Sequence, residues 1–123
     1  MVPNVTYNAD LQMVEVFSPG NLSEEDILGQ RLQIERLILK HRAARVLVDT
    51  TALISLPATM ALYDFVNTFA ETKIPRRVRF ALLSGVSSAR DVRFLETLSI
   101  NRGYLVRAFN TREEALAWLL QKT

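Results

Sequence analysis

The stretch Arg45-Val-Leu-Val-Asp-Thr-Thr-Ala-Leu-Ile-Ser-Leu-Pro-Ala-Thr59 decides how the chain is read. Val46 to Val48 is a continuous apolar run with β-branched residues, the pattern of a strand covered on both faces and hence of a parallel sheet between helices. The run ends at Asp49. Hydroxyls at Thr50, Thr51 and Ser55 follow, and Pro57 suits the first turn of a new helix. A strand that delivers a carboxylate and hydroxyls to a helix N-terminus is where α/β proteins place their sites.

The same alternation extends in both directions. Upstream, Val5 to Tyr7 and Leu11 to Phe17 read as strands around a turn at Asn8 to Asp10, and Pro19-Gly20-Asn21 breaks the chain. Ser23 followed by Glu24, Glu25 and Asp26 is an N-cap with acids in the first helical turn. The helix runs to about Lys40. Leu28, Leu32, Glu35 and Leu39 lie near one stripe of it, and Ile27, Ile34, Leu37 and Ile38 widen the apolar part. Downstream, a helix with Leu62, Phe65, Val66 and Phe69 at core spacing precedes a strand at Arg79 to Leu83. Ser84 to Ser88 is a turn whose Ser88 reads as an N-cap. A helix with Val92, Leu95 and Leu98 then stops near Gly103, a residue that accepts the left-handed conformation of a helix end. Tyr104 to Phe109 is a last strand. Thr111-Arg-Glu-Glu114 reads as a capping box opening the final helix, in which Trp118 is expected to be structural. The predicted order is ββαβαβαβα. It describes one α/β domain over residues 1–123, with a mixed, mostly parallel sheet and an antiparallel N-terminal edge.

Composition narrows the chemistry. A chain of 123 residues, 49% apolar, can bury one core. A net charge of +2 supplies no global field for nucleic acid. The absence of cysteine excludes disulfides, thiolate catalysis and zinc–thiolate sites, and it fits a reducing cytoplasm. The N-terminus has no signal-peptide pattern, and no apolar run reaches the roughly 20 residues of a membrane span. His41, the single histidine, has no serine or acid at catalytic spacing and is expected to cap its helix. The acids form no paired-carboxylate or metal-ligand motif. No enzyme activity and no cofactor are therefore expected.

The final segment, Val106-Arg-Ala-Phe-Asn-Thr-Arg-Glu-Glu-Ala-Leu-Ala-Trp-Leu119, resembles the C-terminus of the SpoIIAA-like family, relatives of the STAS domains. The N-terminal hairpin, Leu22-Ser-Glu-Glu-Asp26 and the strand ending at Asp49 fit the same pattern. The resemblance implies a STAS-type bacterial regulator that works through a protein partner, a kinase-like or anti-sigma type, as anti-sigma factor antagonists do. Those antagonists carry Asp-Ser-Ser-Gly after the third strand and are phosphorylated on the second Ser. A gap-free count from Asp49 puts that motif on Pro57-Ala-Thr-Met60, so Thr59 is the implied phospho-acceptor. The Asp, the first Ser and the Gly are absent. Similarity of the wider family to the CRAL-TRIO fold implies an alternative role, carriage of a small apolar or lipid-like ligand.

The candidate binding residues are Asp49, Thr50, Thr51, Ser55 and Thr59, with Ser84, Gly85, Ser87 and Ser88 as a second wall. They would face an anion or a partner at the carboxyl end of the sheet, with Arg90 and Arg93 at the start of the next helix. The competing reading is that these hydroxyls satisfy turn and cap groups, and local chemistry favours it. Tyr63 and Phe65 are candidate liners of an apolar pocket. The basic clusters Lys40, His41, Arg42, Arg45 and Lys73, Arg76, Arg77, Arg79 fall at helix ends, where the dipole accounts for them. Apolar positions beyond one stripe's needs, as in Leu37-Ile-Leu39, favour a two-fold homodimer.

Overall fold

The computed structural model describes residues 4–121. Strands β1 (Asn4–Asn8), β2 (Met13–Phe17), β4 (Arg45–Thr50), β6 (Arg79–Ser84) and β7 (Leu105–Phe109) form one sheet in the order β1-β2-β4-β6-β7. β1 is antiparallel to β2, and the other neighbours are parallel. The mixed sheet with an antiparallel edge is thus the one the alternation predicts. The helices are α1 (Glu24–His41), α2 (Thr59–Asn67), α3 (Ala89–Ile100) and α4 (Arg112–Leu119), and a 3₁₀ turn at Thr68–Glu71 extends α2. Among the described residues, no helix is long and apolar enough to cross a membrane.

Two very short strands were not anticipated. β3 (Gly20–Asn21) pairs in parallel with β5 (Leu53–Ser55) beside the main sheet. Gly20 sits at φ +70°, and its amide donates to the Ala52 carbonyl. Leu53 is buried between them and α2.

The strand pleat divides the core in two. Val14, Val16, Val46 and Phe80 face α1. Met13, Leu47, Ala81 and Leu83 face α4, which inserts Ala115 and Leu119. Both α1 and α4 begin as their caps predict, with different completeness. Ser23 and Asp26 form a reciprocal capping box. Thr111 accepts from the Glu114 amide, but the Glu114 carboxylate takes the Thr111 hydroxyl instead of its backbone, so that box is half made.

Two expectations are corrected. The buried stripe of α1 is Ile27, Ile34 and Ile38, so Leu28, Leu32 and Leu39 face outward. Pro57 lies before α2, whose N-cap is Ala58. Of the basic clusters, Lys40 and His41 lie in the last turn of α1 as expected, while Arg45 and Arg79 serve another helix end. Arg45 and Arg79 are cross-strand neighbours, and both donate to carbonyls of the last turn of α4, to Leu119 at 2.9 Å and Trp118 at 2.8 Å. His41 stacks flat on Tyr7 with ring centroids 3.8 Å apart.

Trp118 is half-buried, tilted against Phe109 and covered by the Arg79 guanidinium, whereas Leu119 is fully buried. Leu119→Ala is therefore expected to cost about 2–5 kcal/mol, and Trp118→Ala less than about 3 kcal/mol. Urea unfolding of the two variants checks the order, and a reversed order would mean that α4 is rotated on the sheet.

Candidate functional site

β4 and β6 end side by side at Thr50 and Ser84, and their carboxyl ends carry the candidate residues on two neighbouring turns. The hydroxyls of this region are mostly consumed within the fold. Thr50 Oγ1 donates to the Leu83 carbonyl at 2.8 Å and lies 3.1 Å from Ser88 Oγ. Ser88 Oγ donates to the Thr50 carbonyl at 3.0 Å and accepts from the Gly85 amide at 3.0 Å. Both side chains are buried. Ser88 therefore does not cap α3, as its sequence context suggested; it has no cap bond and an αR backbone. It ties the β6–α3 turn to the end of β4.

Gly85 completes this lock. A Cβ on Gly85 would lie 2.8 Å from the Thr51 carbonyl oxygen, closer than side chains pack. Only glycine lets the two turns approach this closely. Asp49 accepts from both the amide and the hydroxyl of Thr51, at 2.9 and 2.6 Å, closing a tight turn. Ser55 donates to the Asn21 side chain at 2.6 Å, joining β5 to β3. Ser84 makes a long bond to the Phe109 carbonyl. Of the nine candidates, Thr51, Ser55, Thr59 and Ser87 are exposed. Thr59 is the first residue of α2 and has no side-chain cap in front of it. Arg90 and Arg93 are exposed on α3.

The same end of the molecule presents apolar side chains to solvent. Ile54 on β5 is 65% exposed, Met60 in the first turn of α2 70%, and Val86 between β6 and α3 100%. They adjoin Ser55, Thr59 and Ser87 in the chain. Sequence reading passed over them because an isolated apolar residue in a turn carries no pattern.

A second feature lies beneath these turns. Helices α1, α2 and α3 leave an apolar cavity of about 120 Å³ above the sheet. Phe65 lines it. Tyr63 does not: it is 42% exposed, with the Arg102 guanidinium 5.0 Å over its ring. Gln30 and Arg31, adjacent on α1, also line the cavity. Arg31 donates to the Phe65 carbonyl at 2.9 Å and to Thr68 Oγ1 at 3.0 Å. Desolvation lowers its pKa, and the charges of Glu71 and Glu35 act in the opposite sense. Gln30 shares the Ile27–Ile34–Ile38 side of α1, a side that the hydropathy pattern alone does not single out.

On the opposite sheet face, Glu15 forms an ion pair with Arg112 at 2.9 Å and accepts from Asn8. Burial raises the Glu15 pKa, but these bonds and the Arg112 charge outweigh it, and the net shift is downward. This pair anchors the first turn of α4. Among the described residues, no cluster of His, Cys, Asp and Glu could hold a metal ion.

The fold as a whole has counterparts among solved structures. One is a protein of the DUF3478 family with a SpoIIAA-like fold from Shewanella loihica PV-4, 18% identical, with TM-score 0.63 over 96% of this chain and 92% of that one. The chain has the SpoIIAA-like fold. An anti-sigma factor antagonist from Mycobacterium paratuberculosis is 13% identical, with TM-score 0.64 over 98% of this chain and 94% of that one. The anti-sigma factor antagonist SpoIIAA in its unphosphorylated form is 14% identical, with TM-score 0.60 over 95% and 96%. No protein-family model and no curated protein matches the sequence.

The Gly85 contact makes a specific prediction. Gly85→Ala should destabilise the fold by about 1–3 kcal/mol, because backbone rather than a pliable side chain blocks the added methyl. Thermal and urea unfolding measure this, and a neutral substitution would mean that the two turns are not held together.

Proposed function

We propose that the chain is a non-catalytic regulatory module that binds a protein partner through the turns at the carboxyl end of its sheet. The observation that carries this reading is the exposure of Ile54, Met60 and Val86 on a rigid base. Each would gain about 1.5–3 kcal/mol on full burial, before the costs of association. The Thr50–Ser88–Gly85 lock holds the two turns still, which lowers the ordering cost of binding. The likeness to anti-sigma factor antagonists supports a kinase-like anti-sigma protein as the partner.

Thr59 is the proposed phospho-acceptor. A phosphate on the first residue of α2 would meet free amides and the positive helix end. Pro57, Ala58 and Met60 in place of the acid, hydroxyl and glycine argue for a weak substrate. Thr59→Glu is expected to leave folding intact and to change partner affinity only modestly. Outward-facing Leu28, Leu32 and Leu39 on α1 support a two-fold homodimer as the resting state.

The direct test is calorimetric titration with the kinase-like anti-sigma protein encoded in the same genome. Met60→Asp and Val86→Asp should each weaken binding at least tenfold with unchanged melting temperatures. Equal affinity for wild type and both variants would refute the proposed surface, and no binding by wild type would refute the partner class.

A second reading, carriage of a small apolar ligand, is supported by the cavity between α1, α2 and α3.

A further inference from the structure

We propose that this cavity binds a compact, neutral, largely apolar molecule carrying one hydrogen-bond acceptor, with its carbonyl held by the side-chain amide of Gln30. The inference rests on the ligand reading above and gives it a chemical class.

Among the described residues, Gln30 carries the one fully buried side-chain polar atom without a hydrogen-bond partner. Its Oε1 accepts from the Ser18 hydroxyl at 3.2 Å. Its Nε2 is buried and has no partner among the described residues. An unpaired buried donor costs about 1–3 kcal/mol, and an apolar wall position would avoid that cost. Water is a poor occupant, because a buried water needs two to four polar partners. Of the hydroxyl residues in the wall, Ser18, Thr50, Ser99 and Tyr104, the first two are already bonded within the protein. Most of the remaining wall is hydrocarbon, including Ile34, Leu62, Phe65, Val92 and Leu95.

The volume sets the size. A cavity of about 120 Å³ is slightly smaller than an engineered apolar one of roughly 150 Å³ that takes up benzene. One six-membered ring fills a space of that size, and a short substituent reaches toward its open side. Sites for drug-sized molecules span about 300–1,000 Å³, so a full acyl lipid is excluded from this conformation.

Neutrality follows from the donors. Burying a carboxylate without a matched cation costs far more than one amide hydrogen bond returns. The cation in the wall is Arg31, and its Nη1 is engaged by the Phe65 carbonyl and Thr68, with its guanidinium carbon 5.0 Å above the Phe65 ring. A carbonyl meets Gln30 without disturbing that arrangement.

The test uses acetophenone, ethylbenzene and benzoate as probes of the intact protein, followed by ligand-detected and ¹⁵N NMR titration. Acetophenone should bind the wild type and shift the Gln30 side-chain amide resonances. Gln30→Leu should weaken acetophenone at least fivefold and leave ethylbenzene unweakened. If the lone Ser18 hydroxyl prevents that variant from folding, the Ser18→Ala/Gln30→Leu double variant removes both members and gives the same readout. Benzoate should bind more weakly than acetophenone. Equal loss or no loss of the two neutral probes in the Gln30 variant would overturn the role of the amide while leaving an apolar-ligand site intact. Absence of binding by either neutral probe would overturn both readings. Tighter binding of benzoate would overturn the neutral class.

Discussion

The buried hydroxyl of Thr50 stands where three demands meet. It ends the central strand, it bonds the Leu83 carbonyl of the neighbouring strand, and it touches Ser88 at the entrance to α3. A parallel sheet covered on both faces must satisfy its polar groups at the strand ends without water. Here Thr50 and Ser88 do so with each other and with local backbone. The β6–α3 turn is thereby drawn onto the β4–β5 turn, closely enough that residue 85 has no room for a side chain. What looks in sequence like a field of reactive hydroxyls is mainly a clasp.

The clasp connects the two features that bear on function. Above it, the turns carry Ile54, Met60 and Val86 into solvent on a fixed frame. Below it, Thr50 forms part of the cavity wall between the sheet and helices α1 to α3. The other sheet face is filled differently. One short helix, α4, packs Ala115 and Leu119 on the strands, while Arg45 and Arg79 hold its last carbonyls and Arg112 its first turn. That face leaves a polar opening beside Glu15, Asp49 and Arg112, whereas the apolar cavity lies on the three-helix side.

The alternation of apolar runs and caps made the main sheet, the four helices and the antiparallel edge legible, because those features are local. What escaped depended on distant partners. Ser88 has the context of a cap, yet the Thr50 carbonyl, 38 positions away, claims its hydroxyl. Leucine and isoleucine are equivalent in a hydropathy pattern, so the stripe of α1 that faces the sheet could not be chosen between Leu28–Leu32–Leu39 and Ile27–Ile34–Ile38. β3 and β5 are too short to show a period of two. Tyr63 and Phe65 have the same helical spacing credentials, and only packing against α1 and α3 sends Phe65 inward and leaves Tyr63 beneath Arg102. Gln30 is unremarkable as a letter and informative only once its amide is found buried.

The central claim is that Thr50 and Ser88 act as one unit that fixes the carboxyl end of the sheet. A double-mutant cycle on Thr50→Val and Ser88→Ala, read by urea unfolding, tests it most directly. Thr50→Val unpairs the Leu83 carbonyl, Ser88→Ala unpairs the Thr50 carbonyl and the Gly85 amide, and each removes the hydroxyl contact at 3.1 Å, so each should cost about 1–3 kcal/mol. The double variant should cost clearly less than their sum, with a coupling energy of about 0.5 kcal/mol or more. Strict additivity would contradict the account, since it would mean that the two hydroxyls stabilise the fold independently.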